Sequence, residues 1–414
     1  MQGYRKPFRQ QPFQHATEET TPKWWGYLST IFLLPKKDGS QRPVINLKDL
    51  NKFVSTEHFK MEGIHVLRDL PKAGDWMAKV DHKDGYFMIP MHEEDRAFLK
   101  FSFKKNTYQF RCLPFGLACA PWVFTKILKP LTAQLRQLGM QMIIYIDDIP
   151  ILAESKERAQ DHVMGLLYLL ENLGFEVSKP KCVLDPVQVI DFLGFMFDSV
   201  QQELSLPAGK VKKIRAETRH ILEGSQVTAR KLSQLLGRLQ AAIRAIPLAP
   251  QFYRQLQQAL QRALEQSDQG YSVQLVLSMG EQEELQWCLD HLSTLNGKTF
   301  MSEKPSLMIE SDASTYGWGA CKGVRTGGLS CPEGRQWHIN CLEALAAFHA
   351  LKCFVRDRKK ITVLLRMDNK YHSGGICQAG SDSVPQAKLH SQRDITLVAE
   401  HLPGVLNVVA DKES

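Results

Sequence analysis

Between about residues 20 and 205, short runs of β-branched and aromatic residues alternate with longer runs whose apolar positions recur every three or four residues. Most of the Pro, Gly and aromatic punctuation falls between them. Three of the short runs stand out. "IFLLPKKDGSQRPVINL" predicts two strands joined by a turn at Asp38-Gly39, "WMAKVD" predicts a strand ending in Asp81, and "IIYIDDIPILAES" predicts a hairpin. From Leu206 to Glu265 the spacing turns helical, with long polar faces. Residues 266–303 are mixed, with one amphipathic helix expected in "MGEQEELQWCLDHLSTL". A second α/β pattern begins at Lys304: a strand "SLMIESDAS", a Gly-rich turn, a helix "INCLEALAAFHALKCF" and a strand "KITVLLRMD". No internal repeat is visible. The expected organisation is therefore an α+β and α/β multidomain chain divided at 1–19, 20–205, 206–265, 266–303 and 304–414.

Charge sharpens the middle segment. Between Leu206 and Glu265 there are 11 Lys and Arg against 3 Asp and Glu, a surplus equal to the net +8 of the whole chain. One sign concentrated on helices points to a polyanion partner, and a solvated helical face is the plainer alternative. Nine cysteines without a CxxC pair fit a reducing compartment and argue against a zinc ribbon or a disulfide framework. No apolar run has the length of a membrane span and the first residues carry no signal-peptide core, so an intracellular, non-membrane protein is expected.

The chemistry lies in acids. Asp147 and Asp148 sit side by side in an otherwise apolar hairpin, and a solvated Asp-Asp corner is the plain reading. Two adjacent carboxylates also stay ionised cheaply with a cation between them. Joined by Asp81 from a second strand, they could hold two divalent metals about 4 Å apart, as phosphoryl-transfer chemistry requires.

The ordered set "PKKDGSQRPVINLKDLN", "VDHKDGYFMIP", "LPFGLACAPWVF", "YIDD", "LGFEVSKPKC" and "DFLGF" resembles reverse transcriptases, with wording similar to DIRS-like retrotransposons. The resemblance implies a right-hand polymerase fold, with fingers and palm over 20–205, a basic helical thumb over 206–265 and a connection over 266–303. It implies Mg²⁺ (or Mn²⁺) held by Asp81, Asp147 and Asp148, with a template-primer duplex of RNA and DNA and deoxynucleoside triphosphates as partners. It also implies Lys36 and Arg42 on the triphosphate, Tyr86 as the gate against a 2′-hydroxyl, and Phe115 beside the nascent base pair. Lys179 falls near a proton donor to pyrophosphate, and Phe192, Leu193 and Gly194 resemble a grip on the primer end.

Beyond Lys304, the order Asp312, Glu343, Asp368 and Asp411 within "SDASTYGWGA", "HINCLEALAAFHAL", "MDN" and "HLPGVLNVVAD" is similar to ribonuclease H domains that follow reverse transcriptases. These four acids are the implied metal ligands of a second site. Departures stand out in both parts: Gly85 where Ala is usual, Pro150 just past the paired acids, and a compressed Gly- and Ser-rich stretch between Asp368 and Asp411 that favours loop over helix. Two readings follow, an active polymerase with an impaired ribonuclease H, or a nucleic-acid-binding relic without catalysis.

Overall fold

The computed structural model describes residues 16–20, 26–35, 39, 41–69, 71–246, 249–268, 270–299, 305–329, 337–356, 358, 361–367 and 395–402. Two units are distinguished, Met1–Glu203 and Leu204–Ser414. Among the described residues no helix is long and apolar enough to cross a membrane.

The first unit is built around an antiparallel four-stranded sheet in the order Val183–Val187, Trp76–Asp81, Asp148–Ala153, Gln141–Met142. Strand Asp148–Ala153 is buried along nearly its whole length, which is why "IPILA" reads as a continuous apolar run rather than an alternating one. Helix Lys156–Asn172 packs across three of these strands. Its buried positions Ala159, Val163, Leu166 and Leu170 follow helical spacing, and Ser155 caps its start by accepting from the Arg158 N–H at 3.2 Å.

A second sheet, in the order Thr17–Thr20, Asn106–Phe110, Lys100–Phe103, Leu28–Ser29, stands beside a two-stranded hairpin. That hairpin pairs Ile31–Pro35 with Gln41–Ile45, with Leu34 opposite Arg42 and Pro35 opposite Gln41, so the two expected strands form, while Asp38 lies outside the described residues. Gly39 adopts φ +80°, in the left-handed region that glycine enters without steric cost.

In the second unit four helices follow one another: Ala208–Glu223, Ala229–Ala242, Arg254–Glu265 and Met279–His291. The last belongs to the stretch expected as a connection, yet it packs on the first and third of these helices. The expected boundary at 265/266 therefore cuts through one bundle. The reason is local: the Glu284 carboxylate on the last helix accepts the Gln255 and Leu256 N–H groups at 2.9 and 3.0 Å, capping the start of Arg254–Glu265. Lys210, Lys212, Lys213, Arg219, Arg230 and Lys231 are exposed, so the sequence's positive surplus lies on the surface.

A five-stranded sheet completes the unit, ordered Val324–Leu329, Gly317–Lys322, Leu307–Ala313, Ile361–Met367, Ile395–His401. The first three strands pair antiparallel and the last two add in parallel. Helix Ile339–Phe354 packs on Leu307–Ala313 and Gly317–Lys322. Strand Ile395–His401 lies within the compressed stretch, whose composition favours loop over helix and does not reveal a strand. The β-branched "ITLV" finds an edge to extend, a tertiary contact that composition does not reveal.

Replacing Glu284 by Ala leaves two helix N–H groups without an acceptor. Equilibrium unfolding followed by far-UV circular dichroism should show a loss of about 1–3 kcal/mol, and an unchanged midpoint would mean that the cap contributes nothing.

Candidate active site

The site grows out of one strand pair. Asp81 lies directly opposite Asp148 at the end of the Trp76–Asp81/Asp148–Ala153 ladder. The Asp148 N–H and C=O are both engaged on the other side, exchanging bonds with Tyr145 at 3.0 and 3.0 Å. Asp81 and Asp148 therefore form a non-hydrogen-bonded pair, the kind whose side chains approach most closely. Like charges there oppose folding.

Asp147 comes from the turn itself. Because Tyr145 pairs with Asp148, the central turn residues are Ile146 and Asp147, and Asp148 already belongs to the returning strand. This corrects the expected Asp147-Asp148 corner. Ile146 takes φ +53°, a conformation costing a β-branched residue about 1–2 kcal/mol. The turn thus holds strain at the point where it presents a carboxylate. The His82 N–H donates to the Asp147 carbonyl at 2.8 Å, tying this turn to the Asp81 strand.

Pro150 proves compatible with this geometry. The Asp148 N–H faces the edge strand, and so by alternation does the Pro150 nitrogen. The missing donor is therefore turned away from Asp81. Its effect falls on the edge, where regular strand pairing ends at Met142 and resumes only as a bridge at Tyr145. There Arg136 donates to the Met142 carbonyl at 2.8 Å and to Glu62 at 2.6 Å, while Glu62 accepts the Ile144 N–H at 3.2 Å.

The turn "EVSKPKC" wraps the other flank of Asp81. The Ser178 N–H donates to the Asp81 carbonyl at 2.8 Å, and the Asp81 N–H donates to Cys182 Sγ at 3.2 Å. A thiol stands where a ladder carbonyl would otherwise accept. Lys181 Nζ lies 3.5 Å from Asp81 Oδ1 and Lys79 Nζ 4.0 Å from Asp148 Oδ1. Of the lysines in "KPK" it is Lys181 that reaches the acids, although both it and Lys179, the expected residue, are exposed. Alternation in this short turn gives no sign of which lysine lies beside the acids, so sequence reasoning missed Lys181 together with Lys79 and Cys182.

Beyond the acids lies a row of rings. The Arg42 guanidinium sits 4.6 Å from the Phe115 ring centroid, Phe115 is 5.0 Å from Tyr86, and Tyr86 is 5.3 Å from Phe124. The "LPFGLA" turn is docked to bring this about. Asn51 donates to the Gly116 carbonyl and accepts from the Ala118 N–H, both at 2.9 Å. Gly116, at φ +113°, is obligatory because a Cβ would lie 2.5 Å from the Ile45 carbonyl oxygen. Tyr86 is buried, and its phenol is pushed up to about 12, chiefly by burial and then by the Asp147 carboxylate. His82, packed 5.2 Å from Phe175 and 5.7 Å from Phe124, is driven down to about 4 by burial and is neutral at physiological pH.

Of the other expected residues, Lys36, Asp368 and Asp411 lie outside the described residues. Leu193 and Gly194, at φ +49° and +77°, form the two-residue turn between strands Val189–Phe192 and Phe195–Asp198. Phe192 is fully buried and packs 6.3 Å from Phe197, so it is core rather than a primer contact. In the second unit Asp312 pairs with Gly319 near the end of its strand, and Glu343 is buried in the first turns of the helix packed on that strand.

The three acids of the first unit suit divalent cations. Asp81 Oδ1 and Asp147 Oδ1 are buried with no hydrogen-bond partner, and all three carboxylates are hard oxygen donors. Among the described residues no group of three His, Cys, Asp or Glu is arranged to hold a metal ion as the side chains stand. Asp147 is pushed up to about 6 by burial and then by the Asp81 carboxylate, with Arg42 opposing. Asp148 is raised by burial and by Asp81 against the pull of Lys79. Such a frustrated cluster is what a cation relieves.

Residues 34–197 match the reverse transcriptase (RNA-dependent DNA polymerase) family. The enzymatic polyproteins of figwort mosaic virus and carnation etched ring virus are each 24% identical across 93% of this chain, which spans 58% of their length. A transposon Tf2-3 polyprotein of Schizosaccharomyces pombe is 24% identical over 70% of the chain and 20% of its own length. Among solved structures, the foamy viral protease-reverse transcriptase in complex with dsDNA aligns at a TM-score of 0.60 and 16% identity, over 94% of this chain and 80% of that one. The same viral protein in complex with an RNA/DNA hybrid aligns at 0.58 and 16% identity, over 95% and 52%. Residues 34–197 are thus similar to a reverse transcriptase domain, and the chain is similar to part of viral and transposon polyproteins.

A carboxyl raised from 3.8 to about 6 in the folded state contributes stability that is complete below the lower value and lost as pH rises through the upper one. In metal-free buffer the Asp147→Asn protein should therefore melt above wild type at pH 8 and approach it at pH 5. A melting difference independent of pH would contradict the frustrated site.

Proposed function

We propose that the chain is the reverse transcriptase of a retroelement: an RNA-directed DNA polymerase that extends a primer on an RNA or DNA template, followed by a ribonuclease H. The observation that carries this reading is the face-to-face Asp81–Asp148 pair with Asp147 on the adjoining turn, where Asp81 Oδ1 and Asp147 Oδ1 are buried without a hydrogen-bond partner. Mg²⁺ or Mn²⁺ held by these three residues would activate the primer 3′-hydroxyl and neutralise charge on the departing pyrophosphate.

The remaining residues divide the work of binding and orientation. Arg42, braced on Phe115, supplies a guanidinium for the triphosphate. The Tyr86 ring closes the side on which a 2′-hydroxyl would lie, which favours deoxynucleotides. Lys181 holds the Asp81 carboxylate before substrate arrives, and its Nζ is the better placed of the two lysines to give a proton to pyrophosphate. Exposed lysines and arginines on the helices from Ala208 onward would hold the duplex through phosphates. The foamy viral protease-reverse transcriptase structures in complex with dsDNA and RNA/DNA hybrid support such a partner.

The ribonuclease H reading is supported by the sheet order, with Asp312 near the end of the central strand and Glu343 on the helix packed over it. Asp368 and Asp411 would complete its metal ligands. The wording of the motifs supports an origin in a DIRS-like element.

Primer extension on poly(rA)/oligo(dT) with Mg²⁺ tests the polymerase: Asp147→Asn should lose about 10³-fold or more. Incorporation no higher in wild type than in that variant, in protein that still binds the hybrid, would leave the relic reading. The RNA strand of a labelled hybrid should be cut weakly by wild type and not by Asp312→Asn. Equal cutting by both would remove Asp312 from the second site.

A further inference from the structure

The row of rings beneath the acids ends on a residue with no place in the chemistry so far. Phe124, in helix Ala120–Gln137, is fully buried, and its ring meets His82, Tyr86 and Phe175 at centroid distances of 5.7, 5.3 and 6.3 Å. One edge of that ring occupies space that almost any other residue at position 85 would need. A Cβ built on Gly85 would lie 2.7 Å from Phe124 Cζ, 2.9 Å from Phe124 Cε2 and 3.1 Å from Asp147 Oδ1. The first two distances are too short for any real contact, and the third presses on the carboxylate oxygen that has no hydrogen-bond partner.

Neither neighbour can yield without moving the site. Phe124 is enclosed by rings, and one of them is Tyr86, the residue next to Gly85 in the chain. Asp147 sits on a turn whose position is set by the Tyr145–Asp148 exchange and by the His82 N–H. Cores packed to crystal density transmit such a displacement instead of absorbing it.

We propose that Phe124, acting through the missing side chain of Gly85, is a positioning residue that sets the Asp147 carboxylate and the Tyr86 ring together. The inference rests on the polymerase reading for its catalytic consequence. Its packing content stands apart from that reading. Sugar selection and the geometry of one metal-binding acid are then governed by a single contact, and a change on either side of it alters both.

The test uses Gly85→Ala, Phe124→Leu and the double variant in the full chain. Leucine ends short of the two ring atoms that a methyl group at position 85 would strike. Incorporation of a deoxynucleotide and of its ribonucleotide counterpart is measured with Mg²⁺, alongside melting temperature and near-UV circular dichroism. Gly85→Ala should lose on the order of tenfold or more in kcat and shift the deoxy-to-ribo ratio, as expected for a displaced catalytic group. The double variant should return to within about threefold of Phe124→Leu alone, the non-additivity expected of touching residues. A Gly85→Ala enzyme that behaves as wild type, or a double variant whose losses simply multiply, would overturn the proposal.

Should Gly85→Ala fail to fold, Phe124→Leu carries the test. Loss of the ring beneath Tyr86 should lower the deoxy-to-ribo ratio several-fold, and an unchanged ratio would overturn the proposal. Should wild type show no incorporation above Asp147→Asn, the polymerase reading fails separately. The contact is then judged by melting: Phe124→Leu should raise the melting temperature in the Gly85→Ala background and lower it in wild type, and a lowering in both would overturn it.

Discussion

The register of a single antiparallel ladder governs the first unit. With Val80 opposite Ile149 and Asp81 opposite Asp148, two apolar partners are buried behind two carboxylates that face each other at the end of the sheet. A slip of one residue would send Asp148 to the opposite face and put Ile149 beside Asp81. The burial of Ala78, Val80, Ile149 and Ile151 forbids that slip. Apolar packing therefore stabilises an arrangement that electrostatics alone opposes, and the repulsion is held in place for a cation to relieve.

The surroundings follow from this constraint. Asp81 lies beyond the end of the ladder with Val183–Val187, whose first pair is Val183 with Lys79, so Cys182 and Ser178 take over its backbone groups. Ile146 accepts a left-handed conformation because only a tight turn brings Asp147 back beside the pair. Pro150 is tolerated because its absent donor faces an edge strand already held by Arg136 and Glu62. Each local irregularity lies within a few residues of the acids, where strain and unsatisfied groups are expected to gather.

Much of this was legible in the chain. The strand ending in Asp81, the apolar hairpin with its paired acids, the Asp38-Gly39 turn and the basic helical surplus all have short-range signatures. What stayed hidden depends on contacts distant in sequence. The turn was misplaced by one residue because Asp is the better turn former, and only the Tyr145–Asp148 pairing shows that Ile146 bears the positive φ. The choice between Lys179 and Lys181 is not legible because a short turn has no period to reveal which lysine lies beside the acids. Phe192, which the motif resemblance places at the primer, alternates with Ile190 and is buried with it. Helix Met279–His291 was separated from its bundle because the Glu284 cap joins residues about 30 apart, and strand Ile395–His401 needed an edge to pair with.

The central claim is that Asp81, Asp147 and Asp148 form one divalent-cation site, and it can be tested without catalysis. Fe²⁺ in place of Mg²⁺, with ascorbate and peroxide, generates hydroxyl radicals that cut the backbone close to a bound ion. The account predicts two cuts, one beside Asp81 and one within Tyr145–Asp148, both suppressed by excess Mg²⁺ and both lost in Asp147→Asn. Cuts confined to other parts of the chain, or cuts at these positions that persist in Asp147→Asn, would contradict it.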